Sequence, residues 1–400
     1  MRLSNIRYNG ATEWKGCESM GVCGIVVEYN PFHFGHLYHL ETARKESGAE
    51  VVIAVMSSHV VQRGEFSVID KFTRTRWALD AGVDLVVELP GIYVLQSADL
   101  FAQASVRLLA ALGMDTLCFG SETGDLHALN VMLEVMETDV YHARVRAHLD
   151  TGKSYPTSSH LALKSLIKDY ESSAPNNILG IQYLRALRKL DHPVKALAIK
   201  RISTGYYDDI RTDTTIQSAT AIRAAMRRGE DISQYVPAYV HADLQGKQGV
   251  NLEDFFPFIR YQLATATPEE LQRLSGFDEG LEHRFLQTEN YDSVASLLKQ
   301  LLTTRYTHAR LKRALMHLLI RTDKRLSADR QPPYIRVLGM NQRGQDHLNT
   351  IKKDLTIPLI TKITRERDIF LDMELRITKL YDLVHHEPFF EHEFAPVLIV

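Results

Sequence analysis

Cysteine is scarce in this 400-residue chain, with three in all: Cys17, Cys23 and Cys118. Their spacing fits neither a metal site nor a disulfide framework, which points to a reduced, cytoplasmic setting. No run of 18 or more apolar residues occurs, so no membrane-spanning helix is expected. Residues 1–19 carry Arg2, Arg7, Glu13, Lys15 and Glu18 but no apolar core, unlike a secretory signal. They read as an extension upstream of a fold that begins at Met20. A charge excess of either sign is also missing, with 47 Lys and Arg against 49 Asp and Glu. That argues against a uniformly basic nucleic-acid binder but not against local patches. No internal repeat or low-complexity stretch is present. What remains is a chain with 45% hydrophobic residues, enough to build cores for two or three domains.

Up to about Arg201 the pattern alternates strand and helix, as a parallel sheet with helical crossovers requires. Strands are expected at Ile25–Val27, Val51–Met56, Leu85–Leu89, Thr116–Phe119 and Val194–Ile199, and helices at Asp70–Ala81 and Ala98–Leu112. A helical insertion separates the last two strands, from about Asp125 to Leu190. Beyond Val236 helical periodicity dominates, at Pro268–Ser275, Tyr291–Leu302 and Thr307–Ile320, with one short β-run at Tyr334–Leu338. The expected class is α/β: a Rossmann-like parallel-sheet domain over 20–235, then a mainly helical domain over 236–400.

The first strand runs into Glu28-Tyr-Asn-Pro-Phe-His33-Phe-Gly-His36-Leu-Tyr-His39. Ligands of open α/β sheets bind at the carboxyl ends of strands. A helix start offers free N–H groups and a favourable dipole to phosphate. Gly35 would let backbone approach a ligand closely, and His33 and His36 would donate hydrogen bonds to an α-phosphate as its charge rises. His39, taken alone, has a structural reading. Further candidate loops follow the other strands: Ser57, Ser58, His59, Gln62 and Arg63; Pro90–Tyr93; Phe119–Glu122; and Lys200 with Arg201. Ser218 and Thr220 open a helix with small hydroxyls, an N-cap arrangement able to hold phosphate.

These segments, with Pro175-Asn-Asn-Ile-Leu-Gly180 and Ser218–Arg223, resemble the bacterial tRNA(Met) cytidine acetate ligases of the His-x-Gly-His nucleotidyltransferase superfamily. The likeness continues through Arg305-Tyr-Thr-His-Ala-Arg310-Leu and Pro332–Gly339, so that it covers about Met20–Leu383. It implies activation of acetate by ATP as acetyl-adenylate, then acetylation of the wobble cytidine of elongator tRNA(Met). By motif it implies ATP contacts on Val26, Val27, Glu28, Tyr29, Asn30, Pro31, Phe32, His33, Phe34, Gly35, His36, Leu37, Tyr38, His39, Gly120, Asn176 and Arg201. Of these, His33 and His36 are the catalytic pair. Arg201, Arg223 and the Ser218–Thr220 helix start would hold departing pyrophosphate. Phe34 stands where many relatives carry Asn; altered loop packing is expected there rather than lost activity. Mg²⁺ is expected with ATP, held mainly by phosphates, so no metal ligands are named.

Two basic clusters suit tRNA phosphates: Arg185, Arg188, Lys189, Lys195, Lys200 and Arg201, and Arg305, Arg310, Lys312, Arg313, Arg321, Lys324 and Arg325. The candidate contacts are Arg185, Arg188, Arg305, Arg310, Lys312 and Arg313. The tail His385-His386-Glu387 with Glu391-His392-Glu393 has the composition of a ligand cluster, but its irregular context reads as a solvated tail. Two alternatives stay open. A cofactor-pathway adenylyltransferase would use the same histidines but leaves the chain beyond 236 unexplained. A non-catalytic nucleotide-dependent RNA-binding module would not require both histidines and both phosphate-side arginines. An aminoacyl-tRNA synthetase lacks support, since no Lys-Met-Ser-Lys-Ser loop occurs.

Overall fold

The computed structural model describes residues 21–168, 170, 175–201, 216–326, 331–364, 367–385 and 388–400. The 1–19 extension, Met20, His386 and Glu387 lie outside them. Ten strands appear among the described residues: β1 (Val22–Val27), β2 (Val51–Ser57), β3 (Val60–Val61), β4 (Glu65–Phe66), β5 (Leu85–Leu89), β6 (Thr116–Ser121), β7 (Lys195–Lys200), β8 (Ile335–Met340), β9 (Leu359–Ile360) and β10 (Leu398–Ile399). The main sheet runs β10-β8-β5-β2-β1-β6-β7, with β9 added beside β8. β5, β2, β1, β6 and β7 are parallel neighbours, so the order reverses at β1, between β2 and β6. β3 and β4 form a separate antiparallel hairpin.

A parallel sheet is covered on both faces, and its strands therefore lack polar alternation. In β2 every residue is buried. Val51, Ile53 and Val55 pack on one side with Phe101, Leu108 and Leu129, while Val52, Ala54 and Met56 pack on the other with Leu40 and Trp77. The first of these cores continues into the second half of the chain through Phe255, Ile259, Leu311 and Leu315. The helices expected at 70–81 and 98–112 are Lys71–Asp80 and Ala98–Ala111. The first starts where the Asp70 carboxylate accepts the Thr73 N–H at 2.8 Å. Among the described residues no helix is long and apolar enough to cross a membrane.

The short β-run expected at 334–338 is β8, and it joins the N-terminal half directly. It pairs antiparallel with β5, with an irregularity at Val86/Val87. Strands from both sides of residue 236 thus share one sheet, a joining that the change of periodicity there did not announce. Two polar clusters secure it. The Asp84 carboxylate, fully buried, accepts from Val52 N (2.8 Å), Arg44 (2.6 Å), Asn341 Nδ2 (2.8 Å) and Arg343 Nε (2.8 Å). Nearby, Lys71 lies 2.5 Å from Glu88 and 2.9 Å from Glu393, while Arg336 lies 2.9 Å from Glu88 and 2.6 Å from Glu393.

That ring corrects one expectation. Glu393 is 1% exposed and belongs to the buried ring, not to a solvated tail. Burial opposes its charge, but Lys71 and Arg336 overcome that and hold its pKa down at about 2. Its neighbour His392 is exposed, and His385 stacks on Tyr381. Removing one partner from a buried charge cluster strands the others. Glu393→Ala should therefore cost roughly 3–5 kcal/mol in urea unfolding, whereas Glu391→Ala, at an exposed position, should stay within about 0.5 kcal/mol of the parent.

Candidate active site

A cavity of about 600 Å³ opens at the carboxyl ends of β1, β6 and β7, beside the reversal of strand order. This is where an open α/β sheet leaves a crevice. The chain leaving β1 turns at Tyr29, whose φ of 49° lies in the left-handed region. The turn is pinned from several sides. Arg74, buried, donates to Glu28 O (2.7 Å), to Ser57 Oγ (3.2 Å) and to Ser58 O. Val68 N donates to Asn30 Oδ1 (2.8 Å), and Arg223 to Asn30 O (2.8 Å).

His33 is the N-cap of the helix Phe34–Ser47. Its Nδ1 accepts the Gly35 N–H at 3.0 Å, so in the neutral ring the proton sits on Nε2 as a free donor. A Cβ on Gly35 would come within 2.9–3.0 Å of the His33 ring. The glycine thus makes room for the imidazole, and it also lines the cavity. His36 stacks on His33 with centroids 3.7 Å apart, and its Nδ1 is buried without a protein partner among the described residues. His39 Nε2 lies 3.7 Å from Cys118 Sγ. Burial, reinforced by Arg201 and Arg223, lowers His33 to about 3; burial and Arg201 lower His39 to about 4. His36 is also shifted well down, by burial and then by His33.

On the facing side the Pro175–Gly180 motif forms the start of the helix Pro175–Leu187. The Glu122 carboxylate accepts from Asn176 N (3.1 Å), Asn176 Nδ2 (2.6 Å) and Asn177 N (2.8 Å). Asn177 Oδ1 in return accepts from Ser121 Oγ (2.8 Å) and Glu122 N (3.0 Å). Gly180 is required for contact: a Cβ there would lie 2.8 Å from the Phe119 ring. Asn176 thereby faces the cavity, with Arg201 donating to its Oδ1 at 3.4 Å. The helix Ala219–Arg227 closes the third side, its Ser218 cap accepting from Ala221 N.

Of the expected nucleotide contacts, Val26, Val27, Glu28, Tyr29, Asn30, His33, Gly35, His36, Tyr38, His39, Gly120, Asn176, Arg201, Ser218, Thr220 and Arg223 line this one cavity. Pro31, Phe32, Phe34 and Leu37 do not. Phe32 is fully buried against Tyr29, and Phe34 packs with Ile216, Leu37 and Tyr38. From the loop after β2, Gln62 and Arg63 reach the cavity, while Ser57, Ser58 and His59 are buried below it. Pro90–Tyr93 is buried away from it, with Gly91 N donating to Glu374. The lining also includes Val61, from the loop after β2, Leu179, from the Pro175–Gly180 motif, and Ala98, Phe101 and Tyr183, which no motif in the sequence marks. Phe101 and Tyr183 carry only the signal of amphipathic helices, which reads as core. Among the described residues no group of three or more His, Cys, Asp or Glu could hold a metal ion.

The basic clusters are placed unequally. Arg185 donates to Gln182 and Arg188 pairs with Glu137, at the end of Pro175–Leu187 remote from Asn176. Arg305 and Arg310 share Glu279 and flank the Tyr306 ring. Lys312 pairs with Glu65, and Arg313 donates to Gln62 O at 3.4 Å. The helix His308–Ile320 therefore grips the β3–β4 hairpin whose loop reaches the cavity mouth.

This geometry defines a class: the chain belongs to the HIGH Nucleotidyl Transferase family, whose model matches residues 20–393. It is 41% identical over 382 residues to the tRNA(Met) cytidine acetate ligase of Halalkalibacterium halodurans, covering 90% of this chain and 92% of that one. Against its Bacillus subtilis counterpart the identity is 38% over 391 residues, covering 92% and 94%. Within the class, then, the chain is a member of the tRNA(Met) cytidine acetate ligase family. A crystal structure of Thermotoga maritima TmcAL bound with alpha-thio ATP superposes at a TM-score of 0.83, 29% identical over 95% of this chain and 100% of that one. Its apo form gives the same TM-score at 30% identity.

Histidines held neutral by folding set a pH dependence. Their unfolded counterparts protonate near pH 6.5, so stability is fully present above that value and is lost as pH falls toward the folded pKa values of about 3 and 4. Each contributes a slope of roughly 1.4 kcal/mol per pH unit in that window. Urea titrations at pH 7, 6 and 5 should show the decline, and His33→Asn, which keeps a capping acceptor, should flatten it.

Proposed function

We propose that this protein couples ATP and acetate to form acetyl-adenylate and pyrophosphate, then transfers the acetyl group to N4 of the wobble cytidine of elongator tRNA(Met). The observation that carries the reading is the stacked His33–His36 pair at a helix start, facing Arg63, Arg201 and Arg223 across one cavity. Acetate oxygen attacks the α-phosphorus, and negative charge grows on the phosphoryl oxygens and on the leaving pyrophosphate. His33 Nε2–H and His36 donate to the first; Arg201, Arg223 and the Ser218–Thr220 helix start receive the second. Neutral imidazoles suit this role because they donate without first losing a partner, and an arriving polyphosphate favours their protonation further. The names of the relatives and the alpha-thio ATP held by the Thermotoga maritima protein support the same substrates. Glu28 is the one carboxylate among the described lining residues. Mg²⁺ accompanying ATP would therefore be held by the phosphates, and none of the chemistry assigned to the side chains depends on it.

The tRNA would meet the side of the molecule that carries Arg305 and Arg310. That cluster and the mouth-lining Gln62 and Arg63 share one support, the β3–β4 hairpin against His308–Ile320. Residues 20–235 would then serve ATP and acetate, and the chain beyond 236 chiefly the tRNA.

His36→Ala should keep the fold and cut acetate-dependent ATP–pyrophosphate exchange by at least about a hundredfold; near-normal exchange would refute its role. Exchange driven by a phosphorylated small molecule instead of acetate would favour a cofactor-pathway adenylyltransferase. Labelled acetate with ATP and tRNA should yield N4-acetylcytidine on digestion. The double variant Arg305→Ala, Arg310→Ala should weaken tRNA binding and reduce its log–log salt slope by roughly 1.5–2, with pyrophosphate exchange as the control for an intact nucleotide site. Unchanged affinity would remove this cluster from the interface.

A further inference from the structure

A carboxylate repels a polyphosphate, yet one stands in this cavity. Glu28 follows β1 and lines the same space as His33 and His36. One of its oxygens, Oε1, accepts the Gln62 N–H at 2.6 Å, which holds the side chain in a single orientation. Its other oxygen has no protein partner among the described residues, and the residue is only half-buried, so that oxygen is reached from the cavity. The backbone beneath is fixed as well, by Arg74 on Glu28 O at 2.7 Å. Phe101 and Tyr183 line the same cavity from the core behind it, each almost wholly buried. Burial raises the Tyr183 phenol pKa, and the Glu28 charge nearby adds to that rise.

Resting on the function proposed above, we infer that Glu28 reads and deprotonates the exocyclic amine of the target cytidine. A carboxylate accepts from cytosine N4–H₂ and meets only an acceptor, O4, in uracil, so it selects the base as well as activating it. In the transfer step the N4 lone pair attacks the acetyl carbonyl carbon. The bond from that carbon to the adenylate oxygen breaks, AMP leaves with its electron pair, and the N4 proton passes to the free Glu28 oxygen. Desolvation by the surrounding protein raises the pKa of Glu28, against the pull of Arg74, Arg223 and Arg63, and so makes it a better proton acceptor.

The two half-reactions separate this role from a structural one. In Glu28→Gln the side-chain oxygen still accepts from Gln62 N–H, but the free position no longer takes a proton. Single-turnover transfer from preformed acetyl-adenylate to tRNA should fall at least about a hundredfold, and at least about tenfold further than acetate-dependent pyrophosphate exchange, which a change in the lining of the nucleotide cavity also lowers. Glu28→Asp should recover at least about tenfold in transfer over the Gln variant. Transfer within about threefold of wild type in Glu28→Gln would overturn the inference. So would a parallel fall in both half-reactions, which would place Glu28 in adenylate formation. Wild-type protein that forms no acetyl-adenylate would instead overturn the proposed function, and with it this reading.

Discussion

The reversal of strand order at β1 is the constraint on which the site depends. Because β2 and β6 flank β1 on opposite sides, the chain segments leaving β1 and β6 diverge at their carboxyl ends and leave a crevice. Most of the polar groups that line the cavity arrive there for that reason. His33 and His36 start the helix after β1, Gly120 ends β6, and Lys200 with Arg201 ends β7. Asn176 is brought in by the helix that precedes β7, and Ser218 and Arg223 by the helix that follows it.

A crevice of this kind is only as well defined as the loops around it, and here buried polar contacts define them. Arg74 donates to one carbonyl in each of the turns after β1 and β2, at Glu28 and Ser58. Glu122 caps the Pro175–Leu187 helix and so aims Asn176. The second half of the chain contributes through Asp84 and through the ring of Lys71, Glu88, Arg336 and Glu393, which fasten β8 and the C-terminal segment to β5. It also supports the β3–β4 hairpin from behind, at Glu65 and Gln62. Nucleotide mouth and basic cluster are in this way joined through one support, which suits a reaction whose second substrate is a macromolecule.

The strands and helices of the first half were legible because burial on both faces leaves continuous apolar runs such as Val51–Met56. The site was legible where a motif sits at a strand end, as with His33, His36, Gly120 and Arg201. It was not legible at Phe101 and Tyr183, since an aromatic residue on an amphipathic helix reads the same whether it faces a core or a cavity. Glu393 was misread for a related reason: an acidic residue near a terminus is solvated unless cations meet it, and Lys71 and Arg336 lie far away in sequence.

The sequence by itself determined the local devices: an N-capping histidine beside a glycine, a helix opened by Pro-Asn-Asn, apolar runs of strand length. Each of these is set by contacts within a few residues, so local chemistry suffices to read it. Only the tertiary structure decided which of them share a cavity, that β8 enters the sheet antiparallel beside β5, and that Glu28 keeps one oxygen free among aromatic and cationic neighbours. Those outcomes depend on strand order and on the pairing of charges more than a hundred residues apart, and no periodicity in the chain encodes either.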